Sequence, residues 1–138
     1  MTKVFADTDV CIDLLSGRKP HNEAAEKFFS LGESGKVIIH VSSLSFANID
    51  YLLHSQYSSG RNPRMILAQF KTLVTVLAID NRTIDLAIAS DFKDFEDAIQ
   101  YNTAIEHNID ILITRNIKDY KKATIKIMTP ESFVANRK

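Results

Sequence analysis

Ile111-Leu112-Ile113-Thr114-Arg115-Asn116-Ile117-Lys118-Asp119 starts as a strand and ends as a cluster of polar groups. The apolar run has the character of a strand buried on both faces, as in a parallel sheet covered by helices. In such sheets ligands bind beyond the carboxyl ends of the strands. Arg115, Asn116 and Asp119 are therefore placed where chemistry is expected, with Asp119 one helical turn beyond the strand end.

The same pattern repeats on both sides of this stretch. Val4-Phe5-Ala6 runs into Asp7, with Asp9 two residues on; Val37 to Val41 runs into Ser42 and Ser43; Val74 to Ile79 and Ile125 to Met128 read as third and fifth strands. Helical spacing fills the gaps. Val10 to Leu15 is stopped by Ser16-Gly17, and His21 to Leu31 sets Ala24, Phe28 and Leu31 on one face. Ser42 or Ser43 caps a helix carrying Phe46, Ile49 and Leu53, and Pro63 suits the first turn of a helix over Arg64 to Leu73. Asp80-Asn81 caps a helix through Ala89, another runs from Phe95 to His107, and Pro130 opens a short last one. Strands alternating with helices predict an α/β fold, a three-layer α/β/α sandwich around a mainly parallel five-stranded sheet. No repeat or linker divides residues 1–138, which read as a single domain. The polar stretch Gln56 to Pro63 is the candidate mobile loop, and Arg61 and Arg64 place two guanidiniums near each other at its end.

Composition is that of an ordinary soluble chain, 45% hydrophobic and 25% charged, long enough for its own core without disulfides. The lone cysteine, Cys11, forbids an internal disulfide and a cysteine zinc cage, and it lies among apolar residues. The opening segment reaches Asp7 too soon for a secretory signal and no transmembrane run follows, so a reducing cytoplasm is the expected compartment. Seventeen basic residues balance 17 acidic ones, so net charge does not predict nonspecific adhesion to nucleic acid.

Acids nevertheless gather at the predicted rim. Asp7 and Asp9 follow the first strand, Asp119 follows the fourth, and Asp94, Glu96 and Asp97 open the helix near Phe95. Each alone reads first as a helix cap or a partner of the helix dipole. Together they repel, and such a cluster is expected to take up a cation or a proton. Hard oxygen donors with room for water favour Mg2+ or Mn2+, and that hardware suits phosphodiester hydrolysis.

Three of these segments resemble PIN domains, and within them the toxins of bacterial VapC-type toxin–antitoxin pairs. Phe5-Ala6-Asp7-Thr8-Asp9-Val10 is similar to the family's strand-end motif, with Asp7 on its metal-binding acid and Asp9 where Asn is usual. Phe95-Glu96-Asp97-Ala98-Ile99, with Ala104 beyond it, resembles the third-acid helix, with Asp97 in the acid's place. Ile113-Thr114-Arg115-Asn116-Ile117-Lys118-Asp119-Tyr120 resembles the family's Thr-Arg-Asn-x-x-Asp-Phe segment; Asn116 and Asp119 both fall on the fourth position, and the choice between them stays open. The second acid is where the chain departs. Asn48 stands where Glu is usual, and Asp50, about 200° farther round a helix, does not substitute for it. Asn48 offers a carbonyl oxygen without charge, which leaves Glu96 or Asp94 to compensate.

The resemblance spans roughly residues 3 to 133 and implies an Mg2+- or Mn2+-dependent endoribonuclease. By that reading Asp7, Asp97 and Asp119 hold the metal, with Asn116 as the other candidate ligand, while Asp9, Ser42, Asn48, Asp94 and Glu96 support the site. Arg115 and Lys118 would hold flanking RNA phosphates; with Lys121, Lys122 and Lys126 they form the one dense basic run, which reads equally as a solvated face. The family's early helices bind an antitoxin and build a homodimer, making Phe28, Phe29, Tyr51 and Leu52 candidate contacts. His40, His54 and His107 lack a second ligand at metal spacing and read as structural or surface residues. Two rivals stand beside the nuclease. One is a phosphatase resembling the haloacid dehalogenases, with Asp7 as nucleophile. The other is a PIN-like module that binds RNA or protein without cutting, favoured by Asn48 and the zero net charge.

Overall fold

β1 (Thr2–Ala6) occupies the middle of a five-stranded sheet in the computed structural model, which describes residues 1–56 and 60–137. β2 (Val37–Ser42) and β3 (Thr75–Leu77) lie to one side, and β4 (Ile111–Ile113) and β5 (Lys126–Met128) to the other, in the order β3-β2-β1-β4-β5. Every pairing is parallel, so the expected mainly parallel sheet is wholly so. The chain winds outward from β1 in one direction and then, from β4, in the other. Strand order therefore reverses between β1 and β4, and the crevice that such a reversal opens at the strand ends is where an α/β sheet binds its ligand.

Alternation along β1 divides the core. Val4 and Ala6 join Ile39, Val41 and Ile113 in one layer, whose helices are α1 (Thr8–Ser16), α2 (Asn22–Glu33), α3 (Ser43–Ser55), α4 (Pro63–Lys71) and α7 (Pro130–Ala135). Phe5 and Leu112 join the opposite layer with Ala104 and Tyr120, beneath α6 (Phe95–Glu106), with α5 (Asn81–Ala89) packed on α6 through Ala87, Ala98 and Ile99. Three layers result. The first is bound by aromatic edges: Phe28 meets Phe29 at 5.1 Å and Phe133 at 5.8 Å, and Phe29 meets Phe70 at 5.6 Å. Each such ring, fully buried, stabilises by about 1.5–3 kcal/mol before the edge contacts are counted.

Element ends move for local reasons. α1 begins at Thr8 because Asp7 caps it, and ends at Gly17, whose φ of 67° is left-handed backbone that glycine adopts freely. The third strand shrinks to Thr75–Leu77, an edge strand paired with β2 alone. On α2 the buried face is Ala25, Phe28 and Phe29, a register shifted from the expected Ala24, Phe28 and Leu31 because Phe29 packs inward against Phe70. Phe28 and Phe29 are thus core and not partner-contacting surface; of the four candidate contacts Tyr51 is the exposed one, at 67%, while Leu52 is half-buried against the core. His40 is buried, and its Nδ1 lies 3.2 Å from the Val4 carbonyl, a structural tie between β2 and β1. Cys11 is buried as expected. The candidate mobile loop has its centre, 57–59, outside the described residues. Beside it Asn62 caps α4, and Arg61 reaches the Leu15 carbonyl at 3.2 Å. No helix among the described residues is long and apolar enough to cross a membrane.

Candidate functional site

Asp7 is the first residue past β1, at the strand reversal. Its backbone N–H donates to the Ile113 carbonyl at 3.1 Å, tying β1 to β4, and its Oδ1 accepts from the Val10 N–H at 3.1 Å. The carboxylate is therefore a helix cap and, at 3% exposure, a buried acid. Burial pushes it up to about 7, and the neighbouring Asp9 and Asp97 charges push the same way; the Thr114 hydroxyl and the Val10 N–H oppose them.

Asp97 approaches from α6. Asp94 caps that helix by accepting from the Asp97 N–H at 2.9 Å, which leaves the Asp97 side chain to point elsewhere. It too is raised to about 7, by burial first and then by Asp94 and Asp119. Tyr120 donates its hydroxyl to Asp97 Oδ1 over a long 3.4 Å. Burial and the Asp7 and Asp97 charges push that phenol up, so it remains a donor. Two acids on different elements thus share one buried neighbourhood.

The remaining expected residues take distinct places. Asp119 is exposed in a 3-10 turn, Ile117–Tyr120, that follows β4. Asn116 precedes the turn and donates its side-chain amide to Asp9 Oδ2 at 3.2 Å; Asp9 also faces Arg18 at 3.6 Å. Ser42 is a buried cap that accepts from the Leu44 N–H at 2.9 Å. Asn48, from α3, donates to Glu96 Oε2 at 2.8 Å. Arg115 has a partner other than the expected phosphate: its Nε and Nη2 lie 2.7 and 3.3 Å from the two oxygens of Asp13. Lys118 is exposed and lines, with Lys93, Lys121 and Lys122, a cleft of about 330 Å3 that Asp94, Asp97 and Asp119 also line.

Sequence reasoning missed three residues. Asp13 is 1% exposed and carries both Arg115 and Arg18; its signal was a charge inside the apolar run Cys11-Ile12-Asp13-Leu14-Leu15. Gln100 is buried and accepts from the Thr8 N–H at 3.1 Å, fastening α6 to the residue after Asp7. Nothing local marked it. Tyr120 occupies the aromatic place of the segment after β4, and its hydroxyl is what sets it apart from Phe there.

Among the described residues no group of three or more His, Cys, Asp and Glu side chains is arranged to hold a metal ion. Asp7, Asp97 and Asp119 do not form a closed cage. The donor chemistry still fits a hard cation. Mg2+ typically takes one or two carboxylates and completes its shell with water and substrate oxygens. Asp7 and Asp97 are such a pair, strained by burial and like charge, and the nearby Arg115 is committed to Asp13.

A family model described as PIN domain matches residues 3–118. The chain belongs to the PIN domain family. This displaces the dehalogenase-like phosphatase as a reading of Asp7. Among curated proteins, this PIN chain is 24% identical over 139 residues to Ribonuclease VapC1 of Aquifex aeolicus, covering 95% of this chain and 92% of that one. Among solved structures it is similar to a toxin–antitoxin complex from Klebsiella pneumoniae, with a TM-score of 0.66 and 26% identity, covering 92% of this chain and 97% of that one. The Mycobacterium tuberculosis toxin VapC20, described as cleaving the sarcin-ricin loop, shares the fold at a TM-score of 0.62 and 18% identity, covering 79% of this chain and 86% of that one.

Proposed function

We propose that this PIN chain is a divalent-metal-dependent endoribonuclease and the toxin of a toxin–antitoxin pair. The observation that carries the reading is the meeting of buried Asp7 and half-buried Asp97 at the strand reversal, two acids from different elements that burial and neighbouring carboxylates both raise to about 7. A ribonuclease and a toxin–antitoxin complex among its relatives support it.

Each residue then has a task. Asp7, fixed by its cap and by the β4 tie, and Asp97, fixed by Asp94 and Tyr120, hold the ion; Asp119 at the rim and the carbonyl oxygen of Asn116 remain the candidates for the fourth position. Bound Mg2+ or Mn2+ would supply Lewis acidity toward a phosphate oxygen and toward the attacking water. Lys93, Lys118, Lys121 and Lys122 line the cleft that leads to Asp97 and would receive the phosphates on either side of the scissile one. Arg115 orients α1 through Asp13. An antitoxin and a second copy of the chain are the partners this reading carries, with Tyr51 on the exposed face of α3 as a contact.

The test is Mg2+ and Mn2+ titration of the purified protein with a mixed RNA pool, beside Asp7→Asn. Metal-dependent cutting that disappears in the variant is expected. Failure of the wild type to bind metal at millimolar concentration, with RNA left intact, would instead make this a PIN fold used for binding.

A further inference from the structure

We propose that Glu96 is the metal-directed carboxylate that replaces the acid missing from α3, and that Asn48 is its positioning residue. The inference rests on the nuclease reading. Asn48 and Glu96 belong to opposite layers of the sandwich, yet they meet over the strand ends, with Asn48 Nδ2 donating to Glu96 Oε2 at 2.8 Å. The other oxygen, Oε1, is 3.4 Å from Gln100 Nε2, one helical turn along α6. Gln100 is itself fixed, because its Oε1 accepts from the Thr8 N–H at 3.1 Å. Glu96 is thereby tied through one side chain to the residue that follows Asp7, and it stands beside Asp97 in the first turn of α6.

The chemistry of position 48 follows from this contact. An acid there would face the Glu96 carboxylate at hydrogen-bond distance and repel it. An amide donates to it. The pair therefore accommodates one negative charge, on either element, and this chain places it on α6. The Thr8 hydroxyl is a third donor to this carboxylate, whose two oxygens have about four acceptor sites, so Asn48, Gln100 and Thr8 orient the group without exhausting it.

Mn2+ affinity reads this directly. Free Mn2+ is followed by electron paramagnetic resonance in solutions of the full chain, for the wild type, Glu96→Gln, Asn48→Leu and the double variant Asn48→Glu/Glu96→Gln, with thermal melts confirming folding. Glu96→Gln should weaken Mn2+ binding by about tenfold or more. Asn48→Leu, which keeps the acid and removes its anchor, should fall between that variant and the wild type. The double variant should recover most of the loss, because it returns the charge to α3. Wild-type affinity in Glu96→Gln, or a double variant no tighter than Glu96→Gln, would overturn the assignment while leaving a metal-binding, RNA-cutting wild type intact. A wild type that binds no Mn2+ would remove the nuclease reading and this inference together.

Discussion

Asp7 does two jobs that pull against each other. As a cap it stabilises α1, and as a buried acid beside Asp9 and Asp97 it destabilises the fold whenever it is ionised. Its folded value of about 7 lies above the ordinary 3.8, so the folded protein holds a proton that the unfolded chain releases. The resulting stability is complete below about pH 4 and is lost as pH rises through about 7. Asn caps as well as Asp does, so Asp7→Asn removes the charge and keeps the cap. In the presence of a chelator at pH 8, Asp7→Asn should be more stable than the wild type by about 1–4 kcal/mol, and near pH 4 the two should melt together. Thermal melts decide it. A variant that melts lower at pH 8 would mean that the Asp7 carboxylate is satisfied without metal.

At the scale of elements, α1 and the segment after β4 are locked by one buried carboxylate. Asp13 accepts from Arg115 at 2.7 Å and is also bound by Arg18, so it joins the middle of α1, the loop beyond it and the strand end that carries Asn116. Removing one partner of a buried ion pair leaves the others uncompensated and costs about 3–5 kcal/mol. Arg18 and Arg115 retain 21% and 26% exposure, so solvent absorbs part of that, and about 2–4 kcal/mol is expected for Asp13→Ala. Urea denaturation measures it. A loss below about 1 kcal/mol would show that the pair adds little beyond a surface contact. Arg115 shows how a tertiary partner escapes a reading of the sequence. A guanidinium after a strand suits a phosphate and a carboxylate equally, and Asp13, more than a hundred residues away in sequence, enters only through the β1–β4 pairing.

The whole molecule is electrically balanced, with 17 basic and 17 acidic residues, so what it offers RNA is local: a cleft lined by both lysines and acids. If Asp7 and Asp97 bind an ion, binding is linked to folding. At a hundred times its dissociation constant, Mg2+ or Mn2+ should add about 2.7 kcal/mol, a rise in melting temperature of several degrees at pH 8. Protons compete for the same carboxylates, so the rise should vanish near pH 5. Scanning fluorimetry at the two pH values checks this, and an equal rise at both would place the ion elsewhere. The strands, most of the helices and the parallel sheet were legible in the sequence because they depend on short-range quantities: apolar runs, helical period, starts such as the Asp80 cap and Pro63, and stops such as Gly17. The positions of Asp7 at a strand end and of Asp97 in a first helical turn were legible for the same reason, since both are local features. Which face of α2 is buried, the commitment of Arg115 to Asp13, the placing of Gln100 under Thr8 and the meeting of Asn48 with Glu96 depend on side chains 48 to 102 residues apart within each bonded pair, or on the layer against which a helix lies. Only the folded sheet brings those groups together, because their partners are chosen by packing across layers and not by neighbours along the chain.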